Sequence, residues 1–404
     1  MNNSQNQPRE FDVVLGGENP APVTGVVLGG IEGVKRRLES DDEEVRIAAL
    51  WNALNYGETG LDLIIQALKD SSQEIKSYVE LLLKERGGEK GKQALLDYNP
   101  WRYLTTLDNW QIQKYNPQVG IVFPFGKAYI ITNKIQLKAL TQDPLVERVE
   151  ALKFDIVENN LHCRKHLQEF FKLIVEAKDF LPNLKALFIG SYKYQDSVYI
   201  YKIYPILKAF PKLELLEICG TIDNDNFLKS NIEILEVRNA VDGSFVKTKP
   251  LRHSCLKSLI IQSRNLSKEN LFKICNLDLP ALEYLELEPD YDVHFDDMIP
   301  IISGQSFPNL TYLGIINGQV AEEIIQYLNK SPLMKSLKIL NLPAGGLTTL
   351  EKIDLSESSI LNRLHTLNLS ENSLRSWMID KLSNLKCRVI ADEQRYDVYD
   401  VCIE

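Results

Sequence analysis

From residue 149 onward one short apolar pattern keeps returning: apolar, two positions skipped, apolar, one skipped, apolar. It opens as Val149-Glu150-Ala151-Leu152-Lys153-Phe154 and recurs at 184–189, 213–218, 232–237, 256–261, 282–287, 310–315, 337–342 and 364–369. A degenerate last copy spans 385–390. Starts lie 19 to 35 residues apart, most of them 24 to 29. Side chains alternate faces along a strand, so positions one, four and six of each copy serve a buried face. Pro-x-Leu introduces four copies, at Pro182, Pro211, Pro280 and Pro308. Between copies, residues 161–178, 267–276 and 319–330 place apolar residues at helical spacing. Strand-then-helix units stacked side by side bury what neither buries alone, which predicts a curved parallel sheet with helices on its convex face.

The array resembles the leucine-rich-repeat superfamily over residues 149–390, and Leu364-His365-Thr366-Leu367-Asn368-Leu369 is its clearest copy. The Asn that usually follows the strand is present at Asn372 but mostly missing elsewhere, and repeat lengths are uneven. The resemblance therefore implies an irregular, ribonuclease-inhibitor-like horseshoe. A break is expected near 239–255, where Gly243 and Pro250 flank a poorly periodic stretch.

The N-terminal part has another period. Val34, Leu38, Ser40, Glu44, Val45, Ala49 and Gly57 match Ile64, Leu68, Asp70, Glu74, Ile75, Val79 and Gly87 at an offset of 30. Ser40-Asp41-Asp42 and Asp70-Ser71-Ser72 offer N-caps, and Gly57 and Gly87 offer stops. Each unit reads as a helical hairpin, HEAT-like though short. The doubled VVLGG at 13–17 and 26–30, with Ile31-Glu32-Gly33-Val34-Lys35, resembles the N-terminal segment of a group of cyanobacterial repeat proteins, WD-repeat propellers among them. That likeness runs to Pro100-Trp101. It implies a portable module joined to interaction scaffolds and supplies no catalytic residue.

The expected organisation is an extended N-terminal segment at 1–24, HEAT-like repeats at 25–98, a linker and capping hairpin at 99–145, and the leucine-rich domain at 146–404. The hairpin joins 120–123 to 128–131. The fold class is an α/β solenoid with a small all-α N-terminal domain.

Net charge is −9, against a main role on nucleic acid or an anionic membrane. Six cysteines without a CxxC pair read as reduced thiols in a cytoplasmic protein. The first eight residues lack a basic-then-apolar leader, and no apolar run is long enough for a membrane span. His162 and His166 have a spacing that can bind a metal, but no third ligand is evident. Asp290, Asp292, Asp296 and Asp297 read as a solvated loop with a helix cap at Asp296. No catalytic constellation, cofactor motif or metal site is selected.

Positions three and five of each strand point out of the concave face, flanked by position two. Position five gives Phe188, Glu217, Glu236, Ile260, Glu286, Gly314, Asn341 and Asn368; position two adds Glu214, Glu233 and Glu283. Strands about 4.8 Å apart would crowd these acids into one patch. Position three carries Tyr284 and Tyr312, candidate aromatic anchors. The expected function is a non-catalytic scaffold or adaptor, holding a protein with a basic, partly apolar surface on Glu214, Glu217, Glu233, Glu236, Glu283, Tyr284, Glu286 and Tyr312. The alternatives are a HEAT-like bilin lyase or lyase subunit, and a regulatory or defence-related sensor.

Overall fold

The fold was analysed in a computed structural model that describes residues 30–395 apart from 102, 123–125, 156–163, 193–197, 201, 224–225, 229–250 and 357–358. The side chains of 164–167 and 264 also lie outside the described set. The expectations for 1–24, the doubled VVLGG, His162, the His166 side chain, Glu233 and Glu236 fall on these positions. The chain forms two compact units, Met1–Tyr103 and Leu104–Glu404.

The described part of the first unit is helical: α1 Gly30–Leu38, α2 Glu43–Ala53, α3 Gly57–Gln66, α4 Gln73–Arg86 and α5 Gly88–Tyr98. The thirty-residue offset superposes α1 and α2 on α3 and α4. Its matched apolar positions, Val34 with Ile64 and Ala49 with Val79, share one core with Leu50, Ile75, Leu83 and Leu95. Asp42 caps α2 by accepting from the Glu44 amide at 2.9 Å, and Ser72 caps α4 by accepting from Ile75 at 3.3 Å. Arg46 links the two thirty-residue repeats, donating to Ser40 O at 2.5 Å and lying 3.4 Å from Asp70. Gly57, with φ of 57°, closes the short 3-10 helix Leu54–Tyr56 and opens α3, a left-handed conformation that glycine takes without strain.

The second unit is one continuous ladder. Its strands are β1 Gln111–Lys114, β2 Lys127–Ile131, β3 Ala151–Asp155, β4 Ala186–Gly190, β6 Leu215–Cys219, β8 Ser258–Leu266, β9 Tyr284–Pro289, β10 Tyr312–Ile315, β11 Ile339–Asn341, β12 Thr366–Asn368 and β13 Arg388–Ile390. They pair in that order, and every pair is parallel. A separate pair joins β5 Tyr199–Ile200 to β7 Thr221–Ile222. Helices α6 Lys134–Leu140, α7 Arg164–Glu176, α8 Tyr204–Ala209, α9 Lys268–Cys275, α10 Phe295–Ile302, α11 Ala321–Leu328 and α12 Ser376–Leu382 fall between strands.

Position four of the pattern forms one buried row: Leu152, Leu187, Leu216, Leu259, Leu285, Leu313, Leu340 and Leu367 are all fully buried. Position six runs beside it from Phe154 to Leu369. Both rows join Leu271 and Ile274 of α9 and Ile324 and Ile325 of α11 in a single core. Burying each leucine is worth about 1.5–3 kcal/mol, and the strand register multiplies that along the ladder.

Two expectations change. The stretch 99–145 is not a linker with a capping hairpin: β1 and β2 pair in parallel, Ile112 beside Ala128, and begin the ladder themselves. Gly120 and Ile121 lie outside any strand. The copy at 232–237 lies outside the described residues; among those described, β6 pairs directly with β8, Leu215 beside Ser258 and Glu217 beside Ile260. The cap on α10 is His294, whose amide donates to Asp297 at 2.9 Å, rather than Asp296.

Asn372 lies in a buried place just beyond β12. Only 2% exposed, its amide donates to Leu342 O and Leu369 O, each at 3.0 Å, while its oxygen accepts from Leu347 N–H at 2.9 Å. It thereby supplies partners for backbone groups of two repeats. Asn265 plays a similar part for β7, donating to and accepting from the Ile222 backbone at 2.8 Å each way.

Candidate functional site

The face of the sheet turned away from the helices carries positions three and five, and its middle is polar. Tyr284 and Tyr312 stand on adjacent strands in register. Their rings stack with centroids 3.9 Å apart and planes 5° from parallel. Both phenols donate to one oxygen of Glu286, Tyr284 at 3.0 Å and Tyr312 at 2.5 Å. The other Glu286 oxygen accepts from Gln262 at 3.4 Å. The line continues along the sheet. Asn341 donates to the Tyr312 hydroxyl at 2.7 Å, and Asn368 to Asn341 at 2.8 Å. Ser370 Oγ donates to Asn368 at 2.7 Å. Polar side chains of five strands, β8 to β12, and of Ser370 just beyond the last are thus joined.

Sequence reasoning placed the two tyrosines in water. They are 7% and 1% exposed instead. The physical reason lies in position five. Gly314 leaves a gap into which the Tyr312 ring leans; a Cβ there would meet Tyr312 Cε1 at 2.9 Å and Glu286 Cγ at 3.0 Å. Burial raises the pKa of both hydroxyls well above the ordinary value, and Glu286 raises them further. They are therefore fixed donors.

Glu217 is also buried, 5% exposed. The Tyr192 hydroxyl donates to it, and the Tyr192 ring lies 4.9 Å from that of Phe188. Lys153 Nζ sits over both rings, at 4.7 and 4.9 Å. Burial pushes the Glu217 carboxyl up to about 7, opposed by the Tyr192 hydrogen bond. Neighbouring Cys219 is pushed up to about 12 by burial, with Glu217 and Glu288 adding to it. The short turn Leu107–Asn109 packs against β4. The charge of Asp108 adds to the upward shifts of Tyr192 and Glu217. The β4 end is partly covered by the Tyr192 side chain, unlike the freely accessible hollow expected from sequence.

The acids read at position two do not form an all-negative patch. Along that row Glu150, Lys185, Glu214, Lys257 and Glu283 alternate in sign. Lys185 pairs with Glu150 at 2.8 Å, and Lys257 with Glu214 at 2.7 Å. The lysines were legible in the sequence at the same position; reading only the acids missed them. Glu286 on β9 and Glu283 just before it, both half-buried, remain as acids with no ion pair among the described residues. Glu233 and Glu236 lie outside the described residues; Glu217 of β6 has Ile260 of β8 as its register neighbour.

Among the described residues, no group of three or more His, Cys, Asp or Glu could hold a metal ion. No described helix is long and apolar enough to cross a membrane. Cys219, Cys255, Cys275 and Cys387 are free thiols.

Eleven parallel strands with helices on one face define an α/β solenoid. No protein-family model matches the sequence, and a search of curated proteins returns no match. Among solved structures, a Bacteroides fragilis protein is similar at 22% identity, over 65% of this chain and 71% of that one, with a TM-score of 0.49. An internalin from Listeria monocytogenes is similar at 14% identity, over 84% of this chain and 94% of that one, with a TM-score of 0.30. The fold assignment rests on the strand register, not on these likenesses.

Proposed function

We propose that the protein is a non-catalytic scaffold that holds another protein on the helix-free face of its repeat sheet. One observation carries this reading: a hydrogen-bonded polar row spans β8 to β12 on that face, while the opposite face is a continuous apolar core. Fixed donors and acceptors across several strands lower the ordering cost of binding. Repeat arrays also offer extended surfaces suited to macromolecules.

The partner has a basic, partly apolar surface. Its cations meet Glu283 and Glu286, and the stacked Tyr284 and Tyr312 form a stiff floor beneath. Glu217 and Glu214 take a lesser part, because Tyr192 and Lys257 already engage them. The helices of the first unit form HEAT-like repeats that act as an interaction module of their own.

Affinity capture from the source cell extract, followed by mass spectrometry, tests the reading. Wild-type protein retains a partner that Glu283→Lys/Glu286→Lys protein loses, while Glu269→Lys on α9 keeps it. Equal recovery by all three rejects this face.

A further inference from the structure

The thirty-residue repeat aligns two helices whose outer stripes match. On α2 the stripe reads Glu44, Ala48, Trp51; on α4 it reads Glu74, Tyr78, Leu81 and then Glu85. The spacing of four then three residues puts each set on one side of its helix. The core residues Leu50 and Ala53, and Val79 and Leu83, occupy the other side. Trp51 and Leu81 are each 44% exposed at equivalent positions of helices packed roughly 10 Å apart. A single exposed apolar residue is ordinary; two large ones in matched places, with half-buried Tyr78 beside them, form a patch. Trp and Tyr are also the residues that most often dominate binding energy.

The rim of this patch is acidic. Glu44, Glu74 and Glu85 are exposed and have no ion pair among the described residues. A second copy docking the same face about a two-fold axis would set these acids against each other. The chain's own residues 1–29 hold Glu10, Asp12 and Glu18 against a single Arg9, so their charge does not complement it. Nucleic acid and anionic lipid are excluded by the same sign of charge.

We infer that the face shared by α2 and α4 docks a basic amphipathic helix of a partner protein, with its apolar side chains on Trp51, Tyr78 and Leu81 and its cations on Glu44, Glu74 and Glu85. This surface is separate from the polar row of the repeat sheet, so either stands if the other fails.

The probe is a fluorescein-labelled helical peptide with one leucine face and one lysine face, beside a twin carrying glutamate for lysine. Binding to the full chain is read by fluorescence anisotropy. The lysine peptide binds and its twin does not. Trp51→Ser/Leu81→Ser weakens binding about tenfold. Glu44→Gln/Glu74→Gln/Glu85→Gln weakens it and flattens its salt dependence, whereas Glu269→Gln on α9 leaves it unchanged. Melting curves check that the variants fold; the glutamine variant, changed only at exposed positions, carries the test if the serine variant does not. Unchanged affinity in the folded variants overturns the inference. So does equal binding of the glutamate twin, or a concentration-dependent dimer that the same substitutions abolish.

Discussion

Tyr284 and Tyr312 are locked to each other through a third residue: their stacked rings turn both hydroxyls onto the same oxygen of Glu286. The arrangement depends on the parallel register that sets Tyr284 beside Tyr312 and Glu286 beside Gly314. Removing the Tyr312 hydroxyl leaves the Asn341 amide and one Glu286 acceptor short of a partner. Tyr312→Phe should therefore lower unfolding free energy in urea by about 1–3 kcal/mol. A loss below experimental error would show that the network contributes nothing to the fold.

Gly314 is a complementary probe of the same site. Its substitution adds one methyl group against Tyr312 and Glu286. Gly314→Ala should destabilise by roughly 1–3 kcal/mol through overpacking. Combined with Tyr312→Ala, which vacates the space, the added cost should largely vanish in a double-mutant cycle. Strict additivity would mean that the methyl group meets something other than the ring.

Glu217 should leave a mark on the pH profile of stability. Its folded pKa of about 7 lies above the ordinary 4.5, so the folded chain holds that proton more tightly than the unfolded chain. Below 4.5 both states carry the proton and the group imposes no penalty. As pH rises towards 7 the unfolded chain releases it first, and stability falls by a few kcal/mol before levelling off. Glu217→Gln keeps an acceptor for Tyr192 without the titration. The variant should match wild type near pH 4 and exceed it in unfolding free energy at pH 8. A constant difference across that range would refute the assignment.

Asn372 should be costly to replace. Asn372→Ala leaves Leu342 O and Leu347 N–H without their side-chain partner in a buried place, for a loss of about 2–4 kcal/mol. Thermal melting would register this as a drop of several degrees. Asn372→Asp should be at least as harmful, because it sets a carboxylate against carbonyl oxygens.

The ladder was legible wherever the sequence pattern reports burial directly. Every copy within the described residues carries a strand, because an apolar residue at positions one, four and six is what a strand packed under helices requires. The strand that the pattern does not report is β1. Gln111-Ile112-Gln113-Lys114 is a largely exposed edge strand, so it has no leucine row to betray it.

The candidate site was half legible. The composition of positions three and five fixed which side chains share the face. Their accessibility could not be read, because it depends on which neighbours are small: Gly314 beside Glu286 lets Tyr312 fold inward, and Tyr192, outside the pattern altogether, covers Glu217.

Carboxyl footprinting of the protein alone and with its captured partner tests the central proposal most directly. Carbodiimide labelling at each acid is read by mass spectrometry. The account expects Glu283 and Glu286 to lose reactivity in the complex, while Glu269, Glu322 and Glu323 on the helical side keep theirs. Protection of the helical-side acids with Glu283 and Glu286 unchanged would contradict it.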